Sequence, residues 1–270
     1  YEKENYVRVQ DYTGEGYTLR DSIEETGQIA EQNRETVVEA VEQFFIDNYA
    51  VEVKVNNIVS AAEGVSVFVE SIDKPFFYSY AIVPIDIENE NIEVDKVWSE
   101  DGQVENGIKG GLYVMAFEEE FSRLDEYFEN ITEESPVIGR NIDSIANVSG
   151  SGYETPYYSL TTFGEVFDKL YKRFSENPDI TKEDLAEFFD ENNFEPKYLS
   201  VTVEFYMEEE DVEPDQEVFD KIVNDIKKLN EIPSGEYSIS LNDNYIDKRR
   251  GIGRKDNTLI RSTPNKIVKQ

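Results

Sequence analysis

The sequence predicts an α+β fold, with antiparallel sheets packed by amphipathic helices, and three observations lead to it. First, the stretch 51–86 alternates with a period of two. Val51, Val53 and Val55 alternate with Glu52, Lys54 and Asn56; Val65, Val67 and Val69 repeat the pattern; an apolar run follows at 76–83. Breaks at Glu63-Gly64 and Asp73-Lys74-Pro75 turn these runs into an antiparallel meander with one buried face. Second, apolar residues recur at helical spacing on both sides of the meander. Third, FFIDNYAVEVKV from Phe44 and FFDENNFEPKYLSVTV from Phe188 both read as helix, Asn-aromatic turn, then strand. A duplication giving two similar halves is therefore one of the readings.

Taken in order, 1–21 is extended and aromatic. Gly14 and Gly16 in TGEGYTL mark a tight turn, because a phosphate loop would need a further glycine and a Lys-Ser/Thr pair. A helix is predicted over 29–49, where Val37, Val41, Phe44, Phe45 and Tyr49 make one stripe. After the meander, 89–106 is polar. Ile108, Leu112, Met115, Phe121, Leu124, Phe128 and Ile131 then predict a second long helix. Gly107, Gly110 and Gly111 weaken its start, or let its backbone lie close to a neighbour.

Pro136, Gly139, Gly150, Gly152 and Pro156 make 133–160 the expected linker between an N-terminal half, 1–132, and a C-terminal half, 161–247. A third helix carries Val166, Phe167, Leu170 and Phe174, with Thr162 and Glu165 at capping-box spacing. Thr181 precedes a short helix with Leu185 and Phe188. Leu199, Val201, Val203 and Phe205 alternate as a strand. Pro214 suits the first turn of a helix running through Ile222, Val223 and Ile226. Tyr237, Ile239 and Leu241 form a last strand before the basic tail, 248–270.

Composition narrows the function. The 270 residues are 39% hydrophobic and rich in Phe and Tyr, enough to build a core, while the net charge is −33. The tail holds eight basic residues and one acid, so it carries +7 and the rest of the chain −40. It is read either as an arm for an anionic surface or as a tail that pairs with its own acidic body. Nucleic acid is not expected as a partner, because phosphate binding needs clustered cations. The absence of Cys and His excludes thiol nucleophiles, disulfides and Ser-His-Asp chemistry. No segment approaches the roughly 18 apolar residues of a membrane span. No signal-peptide pattern is present, and residue 1 is Tyr, so a leader removed from a precursor fits the reading.

The dense chemical feature is acid. Glu118, Glu119 and Glu120 cluster in the second helix, and Glu208, Glu209, Glu210 and Asp211 follow a strand, with Glu213 and Asp215 behind. Glu208, Glu210, Asp211 and Asp215 are candidate ligands for a hard cation, which needs several convergent oxygens. The calcium-loop pattern is absent, and a solvated acidic surface explains them as well. Tyr153, Tyr157 and Tyr158 are candidates for stacking on a sugar or peptide, or for packing on the neighbouring helix. No acid pair is marked as catalytic, and no cofactor is expected.

VRVQDYTGEGYTLRD from Val7, VFVES from Val67 and YSYAIVPID from Tyr78 resemble an uncharacterised lipoprotein family of staphylococci and bacilli, known as a domain of unknown function. The resemblance is clearest over 6–90 and weaker beyond. It implies a precursor with a signal peptide and a lipobox cysteine, hence an extracytoplasmic protein reaching the membrane only through a lipid anchor that lies outside this chain. It brings no catalytic residues. The expected function is non-enzymatic binding or assembly with an envelope component. The alternatives are a carboxylate-dependent hydrolase of cell-wall sugar and a cation-binding module.

Overall fold

The computed structural model describes residues 3–270, and its fold is α+β. A 3-10 turn at Lys3–Asn5 leads into strand β1 (Tyr6–Arg8), and two α-helices follow, α1 (Glu24–Gln32) and α2 (Arg34–Tyr49). The single helix predicted over 29–49 thus begins earlier and breaks at Asn33, whose side chain donates to the Ile29 carbonyl and competes with the helix ladder. The meander forms as predicted: β2 (Val53–Ser60), β3 (Gly64–Ser71) and β4 (Tyr78–Asp86) pair antiparallel, and β5 (Asn91–Ile92) extends the sheet. Val53 and Val67 are buried. The register slips between Val55 and Asn57, so alternation restarts after Asn56.

The meander has more cover than expected. Val65, Val67 and Val69 belong to the main core, with α1 and α2 packed on the sheet. On the opposite face Ser66 and Phe68 are buried too, and Tyr17 meets Phe68 edge-on. Helix α5 (Ile142–Val148) also lies against β2 and β3.

The second predicted helix is two, α3 (Gln103–Ala116) and α4 (Glu118–Glu134). Phe117 leaves helical geometry between them and packs its ring on Tyr113 and Phe189. The glycines of α3 permit the close approach anticipated for them. A Cβ on Gly107 would lie 2.6 Å from the Phe77 ring, and one on Gly111 2.7 Å from the Phe76 carbonyl oxygen.

The stretch read as a linker contains β6 (Val137–Ile138), α5 and the start of β7 (Tyr158–Thr162). Thr162 is not a helix cap; its N–H and hydroxyl both donate to Asn106 Oδ1, and Gly164 precedes α6 (Glu165–Glu176). Helix α7 (Lys182–Glu191) has the Thr181–Asp184 capping box. Then come β8 (Leu199–Met207), α8 (Gln216–Lys228) and β9 (Gly235–Asn242). Asp215, rather than Pro214, sets the start of α8.

Strands β8 and β9 run parallel, with α8 as their crossover, so this sheet is mixed. β6 and β7 pair antiparallel with β8. The basic stretch supplies β11 (Leu259–Arg261) and β12 (Ile267–Lys269), both antiparallel to β9, while β10 (Tyr245–Asp247) pairs with β1. One apolar core runs through both larger sheets and the helices between them.

Candidate functional site

The three candidate tyrosines diverge. Tyr158 is buried; its ring stacks on Phe121 and lies 5.6 Å from Phe128, and its hydroxyl donates to Asp125 Oδ1 at 2.9 Å. Tyr157 packs against Phe128 and Phe205. Tyr153 alone lines a cleft, with ring contacts to Phe76, Phe121 and Tyr158.

That cleft holds about 400 Å³ and is assembled from three segments. Its floor is the end of α3 and the start of α4, where Gly111, Val114, Met115, Glu118, Phe121, Ser122 and Asp125 recur at helical spacing. One wall is the β3–β4 hairpin with Lys74 and Phe76, and the other is the loop carrying Tyr153. Both walls stand on adjacent glycines of α3. A Cβ on Gly111 would strike the hairpin backbone, and one on Gly110 would lie 3.3 Å from the Tyr153 Cβ.

The two acids of the cleft have opposite surroundings. Glu118 is exposed at the rim, 3.3 Å from the Lys74 ammonium and 3.4 Å from that of Lys182. Hydrogen bonds and charge from these two lysines lower its pKa. Asp125 lies further along α4, and burial raises its pKa, against the lowering effect of the Tyr158 hydroxyl. Its Oδ1 takes that hydroxyl, while Oδ2 takes no hydrogen bond among the described residues. Burial also pushes the Tyr153 hydroxyl up to about 12, so it stays a donor at neutral pH.

The four candidate cation ligands are not brought together. Glu208 is exposed, and its backbone N–H donates to the Pro136 carbonyl. Glu210 pairs with Arg8 at 2.8 Å and, with Asp211, meets the Tyr245 hydroxyl. Asp215 is the N-cap of α8, accepting from the Val218 N–H at 2.9 Å. Among the described residues no group of three acid side chains is placed to hold one metal ion.

Glu210 and Asp211 instead border a cleft of about 480 Å³ with Tyr6, Val212, Glu213, Asp243 and Tyr245. Its polar groups are largely matched from within the chain. Lys255 pairs with Asp243 and sits 5.3 Å from the centre of the Tyr6 ring, and Asn257 donates to Glu213 and Asp243. A third groove, between α4 and α8, holds about 520 Å³, and there Lys221 pairs with both Asp225 and Glu134.

Sequence reading missed Asp125, Ser122, Lys74 and Phe76. One signal was present for Asp125. It lies four residues after Phe121 and three before Phe128, a carboxylate within the apolar period of its helix. The cleft's other members look like ordinary surface or core positions until the hairpin is folded against α3.

Comparison with the curated proteins found no match. Among solved structures, the crystal structure of a DUF1672 family protein from Staphylococcus aureus is similar, at 20% identity and a TM-score of 0.79. The match covers 98% of each chain, and at this identity it speaks to the fold alone. The family described as "Protein of unknown function (DUF1672)" matches residues 1–269. By that match over almost its whole length, the chain belongs to the DUF1672 family.

Proposed function

We propose that this is a non-enzymatic binding protein of the cell envelope, and that the cleft between the hairpin, α3–α4 and the Tyr153 loop is its ligand site. The observation that carries the reading is Asp125, a partly buried carboxylate with one oxygen uncommitted at an aromatic-walled cleft. A preformed concave site with apolar walls and a few polar groups is the usual form of a small-ligand site. The acid-tyrosine cleft is larger, but its acids already have partners within the chain.

Binding is favoured over hydrolysis by the placement of the acids. Glu118 and Asp125 stand about two turns apart on one helix, α4, and not on opposite walls of the cleft, whereas the two carboxylates of a glycosidase flank the scissile bond. Glu118 is also held at the rim by two lysines rather than facing Asp125 across the cleft. The extracytoplasmic location and lipid anchor belong to the same proposal and draw on the resemblance carried by the segments at Val7, Val67 and Tyr78.

Hydrogen exchange in the presence of a soluble envelope extract tests the reading. Slower exchange is expected in 111–125 and 151–154, and Ser122→Trp, which fills the cleft from an exposed position, should abolish it. Protection that maps elsewhere and survives Ser122→Trp sinks the proposal.

A further inference from the structure

We propose that the cleft takes a neutral saccharide, bound with a ring face on Phe76 or Tyr153 and its hydroxyls along α4; this rests on the cleft being the ligand site. The two sides of the cleft differ in chemistry. Phe76, with 36% of its surface exposed, and Tyr153 line one side with aromatic carbon. Opposite them, Glu118, Ser122 and Asp125 stand at i, i+4 and i+7 on α4 and form a polar row. Helix geometry spaces their levels by about 6 Å and 4.5 Å along the axis, each step close to the width of one sugar ring.

A pyranose has matching sides, an apolar C–H face and a rim of hydroxyls that both donate and accept. The cleft supplies both partners. Asp125 Oδ2 and Glu118 accept, Lys74 donates, and the Ser122 hydroxyl does either. An amine with an apolar body would use Asp125, Ser122 and the rings, but it offers no acceptor to the Lys74 ammonium. An anionic ligand would meet two carboxylates inside a chain of net charge −33. A neutral polyol engages the whole row without either conflict.

Saturation-transfer NMR on the intact chain provides the test, with cellobiose, maltose and N,N′-diacetylchitobiose as probes and 2-phenylethylamine as the rival class. At least one sugar is expected to show transfer to its ring protons, abolished by Ser122→Trp. Phe76→Ala removes one ring from an exposed position. It should weaken binding roughly 2- to 12-fold, the range expected for one aromatic contact. Circular dichroism establishes that both variants are folded. If the amine binds in a Ser122→Trp-sensitive manner and no sugar does, the saccharide assignment is overturned and the cleft remains the site. If neither probe class binds, or binding is indifferent to Ser122→Trp, the saccharide assignment fails. Envelope-induced protection of the cleft then decides separately whether the cleft reading survives.

Discussion

Replacing Gly111 by Ala sets two effects of known size against each other. Gly111 lies inside α3, where Ala is favoured over Gly by about 1 kcal/mol. Propensity alone would therefore make the substitution stabilising. The new Cβ, however, would stand 2.7 Å from the Phe76 carbonyl oxygen, 2.8 Å from the Pro75 Cβ and 3.1 Å from the Phe76 nitrogen. Two of these atoms are backbone and the third belongs to a closed ring, so none can rotate away. The hairpin must retreat, and overpacking of this kind costs about 1–3 kcal/mol. Because all three neighbours are rigid the upper end applies, which leaves a net loss of about 2 kcal/mol. At ~2–4 °C per kcal/mol for a large single chain, the melting temperature should fall by ~4–8 °C. Gly110→Ala is the control. Its nearest neighbours are the Tyr153 Cβ at 3.3 Å and the Leu160 Cβ at 3.8 Å, so gain and crowding should cancel to within about 0.5 kcal/mol. Urea and thermal melts of the three proteins measure this. Gly111→Ala melting at or above the wild type, or Gly110→Ala falling equally far, would refute the argument that α3 is glycine-rich so that the cleft walls can seat on it.

Three further outcomes are expected. Arg140 and Glu154 form a largely buried pair, so Arg140→Met should cost about 3–5 kcal/mol at pH 7 by leaving Glu154 unpaired. Burial already raises the Glu154 pKa, so its folded form binds the proton more tightly than the unfolded chain does. Stability is therefore lost as pH rises through the folded value, and the cost of Arg140→Met should shrink at pH 5; a cost independent of pH would contradict this. Asp215→Ala removes the N-cap of α8 and should lower stability by about 1 kcal/mol, equally with and without millimolar calcium. A wild-type calcium shift that the substitution abolishes would restore Asp215 as a cation ligand. Finally, the Debye length falls from about 30 Å at 0.01 M salt to about 8 Å at 0.15 M, so the acidic body should be more stable at the higher salt. Deleting 248–270 should destabilise at both salts, because it removes β11, β12 and the buried Ile267, and more at low salt, because it also removes +7. A melting temperature that does not rise with salt would rule out self-repulsion as a destabilising force.

The sequence alone was enough for the meander at 51–86, the apolar stripes of the helices, the short helix after Thr181 and the exclusion of His- and Cys-based chemistry, because each is written in residue type or local period. Local period says which face of a segment is buried, not what buries it. It therefore could not separate Tyr158, inside the core, from Tyr153, on the cleft, five residues away. Nor could it place the breaks at Asn33 and Phe117, since the apolar stripe continues across each. The parallel pairing of β8 with β9 and the docking of β11 and β12 on β9 join segments distant in the chain, and strand direction leaves no trace in alternation. Asp125 is the sharpest case. In the sequence it is one acid among 59, and only the tertiary structure sets it beside the Tyr158 hydroxyl, half-buried in a cleft whose aromatic walls are seated on the glycines of α3.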